Sequence, residues 1–216
     1  MGVNKELSDR LFSRFEALVN RNHYWLSTKE TLFSDIIKRY SEEHRFYHNL
    51  NHIAECLEEF DRFRNFLTKP DEVEMALFYH DIIYDVNKKF NEEASAKFMS
   101  NKLNNIGMNK SFVAGINDLI MNTWKHELGP HPDSGYMVDI DFSSLGAEGD
   151  KFILNRENIR KEYQTKFNDK EFLIGTIMFY SNTLQRKRIF LTDPFYELYE
   201  AQARENLKKG IELLEA

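Results

Sequence analysis

The segment between residues 70 and 84 constrains this chain most, because its apolar residues leave almost no polar face. Val73, Ala76, Leu77, Phe78, Tyr79, Ile82, Ile83 and Tyr84 go round the whole circumference of a helix, and a helix apolar all round belongs at the centre of a packed protein. Pro70 fits its first turn, where the missing N–H removes no hydrogen bond, and Asp71, Glu72 and Glu74 suit the positive end of the dipole.

The rest of the pattern is also helical. Leu7, Leu11, Phe12, Phe15 and Leu18 recur at three- and four-residue spacing, and Ser27-Thr28-Lys29-Glu30 reads as a capping box opening a second helix. From residue 49 to about 67, Leu50, Ile53, Leu57, Phe60 and Phe63 form one stripe of an amphipathic helix. Further helices are expected over 91–105, 111–124, 150–167 and 170–181, with a last one capped by Asp193, started by Pro194 and running to 214. Gly129-Pro130-His131-Pro132 marks a loop, and 137–145 reads as either extended or a single helical turn. The expectation is an all-α protein.

Composition narrows the class. The 216 residues show no linker, so residues 1–216 are expected to form a single domain. Apolar residues at 42%, with 14% aromatic, supply a core and exclude general disorder. The net charge of −6 is the wrong sign for a protein that neutralises nucleic-acid phosphates, so no nucleic-acid polymer is expected as a partner. Cys56 stands alone, which rules out an intrachain disulfide, and it reads as a small buried hydrophobe. No apolar run approaches the roughly 20 residues of a membrane span. A cytoplasmic protein that makes no membrane contact is expected.

His80-Asp81 is the anomaly within the apolar segment. Burying an imidazole and a carboxylate is costly unless both find partners, and a bound cation satisfies both. Upstream lies Arg45-Phe46-Tyr47-His48-Asn49-Leu50-Asn51-His52, where His48 and His52 would sit only about 40° apart on a helix. Downstream lies Asp139-Ile140-Asp141.

In that order, His48, His80-Asp81 and Asp141 resemble the H…HD…D signature of the HD superfamily of metal-dependent phosphohydrolases. The segments 47–52, Phe78-Tyr79-His80-Asp81-Ile82-Ile83-Tyr84-Asp85, Asn91-Glu92-Glu93-Ala94-Ser95-Ala96 and Asp139-Ile140-Asp141 are similar to a bacterial branch of predicted phosphohydrolases within it. Arg160-Lys161-Glu162-Tyr163 and Ala203-Arg204-Glu205-Asn206-Leu207 fit the same branch, so the likeness spans about residues 40–210. The resemblance implies an HD-type helical bundle with extra N- and C-terminal helices. In it a metal-site core over about 40–145 carries helices 150–216, and His48, His80, Asp81 and Asp141 hold one divalent ion. Asp139 competes with Asp141 for the last position. The mixed N/O set suits Mn, Fe, Co, Ni, Zn or Mg, and such an ion lowers the pKa of a coordinated water and polarises a phosphoryl group.

Other roles follow from position. His52 and Glu92, the latter in competition with Glu93, are candidates for catalysis beside Asp81. Arg45, Lys125, Arg160 and His126 are candidates for substrate binding, with Arg188 and Arg204 as further cations, and Arg160 and Glu162 could instead pair with each other. His126 or His131 could also complete a second metal site. The expected activity is metal-dependent hydrolysis of a phosphomonoester or phosphodiester in a small metabolite, a nucleotide being the most natural class. Homo-oligomerisation is compatible with the sequence. The alternatives are a non-catalytic regulatory module that binds metal or nucleotide, and oxygen chemistry on a di-iron centre.

Overall fold

The computed structural model describes residues 4–22 and 28–215. Among them are ten α-helices and no strand, so the all-α expectation holds. In chain order these are α1 (Lys5–Arg21), α2 (Lys29–Tyr40), α3 (Leu50–Phe63), α4 (Pro70–Tyr79), α5 (Asn91–Asn105), α6 (Lys110–Lys125), α7 (Ser134–Phe142), α8 (Gly149–Tyr163), α9 (Asp169–Leu184) and α10 (Asp193–Glu215). Ser27 of the expected capping box lies outside the described residues, and Thr28 makes no side-chain capping bond to α2.

The helix without a polar face takes the centre. Val73, Met75, Ala76, Leu77, Phe78 and Tyr79 are fully buried, because α1, α3, α5 and α6 all pack on α4. Phe15 of α1 meets Phe78 edge to face at 5.2 Å. The buried Glu74 carboxylate on α4 accepts from Arg14 and Arg21 of α1, each at 2.6 Å, and Arg14 also grips Asp61 of α3 at 2.6 and 2.7 Å. Paired this way, a buried charge does not count against the fold.

Helix α4 stops before its apolar pattern does. His80 to Tyr84 leave it through a turn, because the backbone there is satisfied by side chains from elsewhere. The Asp81 N–H donates to the Tyr40 hydroxyl at 3.1 Å, and Arg45 donates to the carbonyls of Asp81 and Ile82 at 2.7 and 3.1 Å. The Ser95 hydroxyl bonds both the N–H and the carbonyl of Ile83, at 3.0 and 3.2 Å. The segment is buried whether helical or not, so its apolar content overstates its helix. His80-Asp81 therefore sits just past a helix end.

Other boundaries differ from the expectation for local reasons. Asn49 caps α3, its side chain accepting from the Asn51 N–H at 2.9 Å. His48 consequently precedes α3 while His52 rides on it, and the two do not share a helix face. The 137–145 stretch is helical, as α7 continued by a 3-10 turn (Ser143–Gly146). Helix α8 ends at Tyr163, short of 167, and α9 continues past 181 to Leu184. Gly107, at φ 77°, turns the chain from α5 into α6.

Helices α8 and α9 both lean on α10, and a groove remains between them. Gly210 permits the close approach of α10 to α9, since a Cβ there would come within 2.7 Å of the Tyr180 ring. No helix among the described residues is long and apolar enough to cross a membrane.

Candidate metal centre

Three elements deliver side chains to one point. His52 and Cys56 come from successive turns of α3, His80 and Asp81 from the end of α4, and Asp141 from α7. Ligand atoms of His52, Cys56, His80 and Asp141 all lie within 4.8 Å of one another, a buried cluster that could hold a metal ion. His80 Nε2 is 3.1 Å from Asp81 Oδ2, 3.2 Å from His52 Nε2 and 3.5 Å from Asp141 Oδ1. His52 Nε2 is 3.4 Å from Asp141 Oδ1. His80 Nδ1 donates to the Leu77 carbonyl at 3.0 Å, and this partner assigns the ring proton to Nδ1 and leaves the Nε2 lone pair facing the cluster.

Charges of opposite sign pair inside the cluster. Burial opposes charge on Asp81, Asp141 and His80 alike, yet their mutual attraction wins. Asp81 and Asp141 are held below the ordinary carboxylate range and His80 well above the ordinary imidazole range. Two carboxylates with about 15% exposure are balanced only by imidazolium, and a divalent ion fits that donor set. Burial pushes the Cys56 thiol well up, and the charges of Asp141 and Asp81 add to this, so it stays protonated in the ion-free protein.

His48 stands at the rim of the cluster. Its ring Nδ1 lies 2.7 Å from Glu162 Oε2, and Glu162 Oε1 accepts the backbone N–H groups of Phe46, Tyr47 and His48 at 2.8, 2.7 and 2.9 Å. The Tyr84 hydroxyl donates to Glu162 Oε2 at 3.0 Å, and the His48 ring stacks on Tyr84 with centroids 4.2 Å apart. This carboxylate fixes the ring with Nε2 left unengaged, the arrangement typical of a metal-binding histidine and its supporting partner.

His126 approaches from the end of α6 in a left-handed conformation, φ 52°. That conformation is uncommon for a residue other than glycine. It lays the imidazole on Phe142, centroids 3.9 Å apart, with Nε2 3.6 Å from Asp141 Oδ2. Arg186 holds the turn by donating to the His126 carbonyl at 3.2 Å. Glu92, in the first turn of α5, is partly buried. Burial raises its carboxyl, and the charges of Asp81 and Asp141 push the same way. Glu93 is exposed.

The remaining sequence candidates are engaged elsewhere. Arg45 is buried, donating to three carbonyls and to Glu42, so its guanidinium braces the His80-Asp81 turn and is not free for a phosphate. Arg160 pairs with Asp169 and with the Phe167 carbonyl, and not with Glu162. Arg188 binds Asp193, and Arg204 binds Glu200 and the carbonyls of Leu184 and Arg186. Lys125 is exposed over the Trp124 ring. Asp139 is fully buried and accepts from the Leu191 and Thr192 N–H groups and the Thr192 hydroxyl, each at 2.7 Å. It anchors the entry to α10, and Asp141 is the one of the pair in the cluster. His131 is buried against Glu72 at 2.9 Å, outside the cluster.

Sequence reasoning passed over Glu162 as a site residue, Cys56 as a member of the cluster, and Arg186. Cys56 alone was findable, because it follows His52 by four residues on one helix face. Comparison with protein-family models, with curated proteins and with solved structures finds no match to this chain.

Proposed function

We propose that this chain is a metal-dependent phosphoric ester hydrolase acting on a small phosphorylated metabolite. The observation that carries the reading is the convergence of His52, His80, Asp81 and Asp141, with a carboxylate-held His48 at its rim. These residues would hold the ion, which when bound supplies Lewis acidity and charge neutralisation for phosphoryl transfer. Glu162 keeps the His48 ring oriented, and the Leu77 carbonyl does the same for His80. Glu92, whose carboxyl is raised by burial and by the charges of Asp81 and Asp141, is suited to take up or release a proton in the reaction. Arg186, which holds the His126 turn, supplies positive charge for phosphoryl oxygens.

A second reading has one observation in its favour. His126 beside Asp141 offers an added imidazole on the far side of the same carboxylate, which suits a dinuclear centre and, with iron, oxygen chemistry. The test is phosphate release from a panel of nucleotides and sugar phosphates by metal-stripped protein reloaded with Mn, Co, Ni, Mg or Zn, alongside Asp81→Ala. Release that needs the ion and vanishes in the variant supports the hydrolase. Two ions per chain and no phosphate release with any of them would favour the second reading.

A further inference from the structure

We propose that the groove between α8 and α9 is the subsite for a planar heteroaromatic ring on the substrate, of the kind a nucleobase provides. This rests on the hydrolase reading for what the rest of the substrate is, but the groove makes its own case. Its volume is about 390 Å³, within the range of small-molecule sites. The walls carry the rings of Phe152, Tyr163, Phe167, Phe172, Phe179 and Tyr180. Stacking and edge-to-face contacts with such rings favour a flat π-system.

Two polar groups in this apolar wall point to what the ring must carry. Asn155 is 6% exposed, and its Nδ2 meets no acceptor among the described residues. Next to it Arg156 lines the groove and has no carboxylate partner among the described residues. A buried donor left unmade costs about 1–3 kcal/mol, so an alkyl chain would be a poor occupant. A heteroaromatic ring with carbonyl or ring-nitrogen acceptors on one edge satisfies the amide and the guanidinium while its faces meet the aromatic walls.

The groove is also joined to the metal centre. Ser144 and Asn155 line both the groove and a smaller cavity whose walls include His52, Cys56 and Asp141. From the other side, Phe179 packs edge-on against Phe142 at 6.4 Å, and His126 stacks on Phe142. A molecule with its phosphate at the cluster therefore has the groove within reach for its other end.

The test separates this from the hydrolase reading. Adenosine, guanosine, cytidine, uridine and ribose, none carrying phosphate, are titrated calorimetrically into the full chain and into Gly175→Phe, Gly175→Ala and Asn155→Leu. Gly175 lines the groove and a Cβ there meets nothing within 4 Å, so the root of a larger side chain is accommodated at its wall. At least one nucleoside should bind where ribose does not, and Gly175→Phe and Asn155→Leu should each weaken it about tenfold or more, with Gly175→Ala near the parent. Asn155→Leu keeps the test decisive should the phenylalanine variant fail to fold. Binding no better than ribose, or unchanged in both variants, overturns the proposal. In hydrolysis, the ratio of kcat/KM for a nucleoside monophosphate over ribose 5-phosphate should fall about tenfold in Gly175→Phe. Metal-dependent hydrolysis with that ratio unchanged sinks the groove and spares the hydrolase. Nucleoside binding that follows the variants without any phosphate release does the reverse.

Discussion

Glu162 Oε2 lies 2.7 Å from His48 Nδ1, a contact that crosses 114 residues of sequence. The same carboxylate gathers three consecutive backbone N–H groups and the Tyr84 hydroxyl. One buried side chain on α8 thus shapes the entry to α3 and aims a histidine of the candidate centre.

Glu162→Gln should be costly, because an amide cannot accept from all these donors. We expect a loss of about 3 kcal/mol in urea unfolding and a fall of about 10–100-fold in ion affinity. Burial opposes ionisation of Glu162, but the His48 charge and the donated hydrogen bonds hold it below the ordinary range. A carboxyl depressed by folding adds stability above its unfolded value, near pH 4.3, and loses it as pH falls through the folded value. The parent should therefore lose more stability than the variant as pH falls below the unfolded value. Parallel pH profiles would count against this role.

Asp139 and Asp141, two residues apart, should separate cleanly. Asp139→Ala strands the Leu191 and Thr192 N–H groups and is expected to cost about 2–4 kcal/mol with little change in ion binding. Asp141→Asn should cut ion affinity by about 100-fold or more while costing less stability than Asp139→Ala. Calorimetric titration and urea unfolding of both variants check this, and interchanged phenotypes would refute the assignment.

Arg45→Ala should destabilise by about 3 kcal/mol or more, since it removes the partner of the Asp81 and Ile82 carbonyls. Lysine at this position should recover little, because one ammonium cannot replace the forked donor. A folded, fully stable Arg45→Ala with only a raised KM would instead make Arg45 a substrate contact.

Much of this was legible in the sequence, and the limits have physical causes. The apolar circumference of α4 marked the core, and His80-Asp81 inside it marked the centre, because burial makes unpartnered polar groups conspicuous. The end of α4 was hidden, since Arg45, Tyr40 and Ser95 satisfy the turn from distant segments. The angular argument for His48 and His52 failed where Asn49 starts the helix between them. Local spacing offered Arg160 as the partner of Glu162, whereas its actual partners are set by the packing of α8 against the entry to α3. The arginines near the motifs drew attention as phosphate ligands, yet most close carbonyl-rich turns.

Glu92→Gln should lower kcat by about 10²–10⁴ with ion binding intact, if its carboxyl moves the proton. Its raised pKa places the parent's rate change nearer neutrality than an ordinary glutamate would. A variant with parent-like kcat would transfer that role to another group.

The most direct measurement is ion binding itself, by elemental analysis and calorimetric titration of metal-stripped protein with Mn, Co, Ni, Fe and Zn, beside His80→Ala and Asp141→Ala. The account predicts at least one ion bound per chain, tightly in the parent and lost in both variants, with protons released as His80 yields its charge to the ion. A parent that binds none of these ions, or variants that bind as well as the parent, would contradict it.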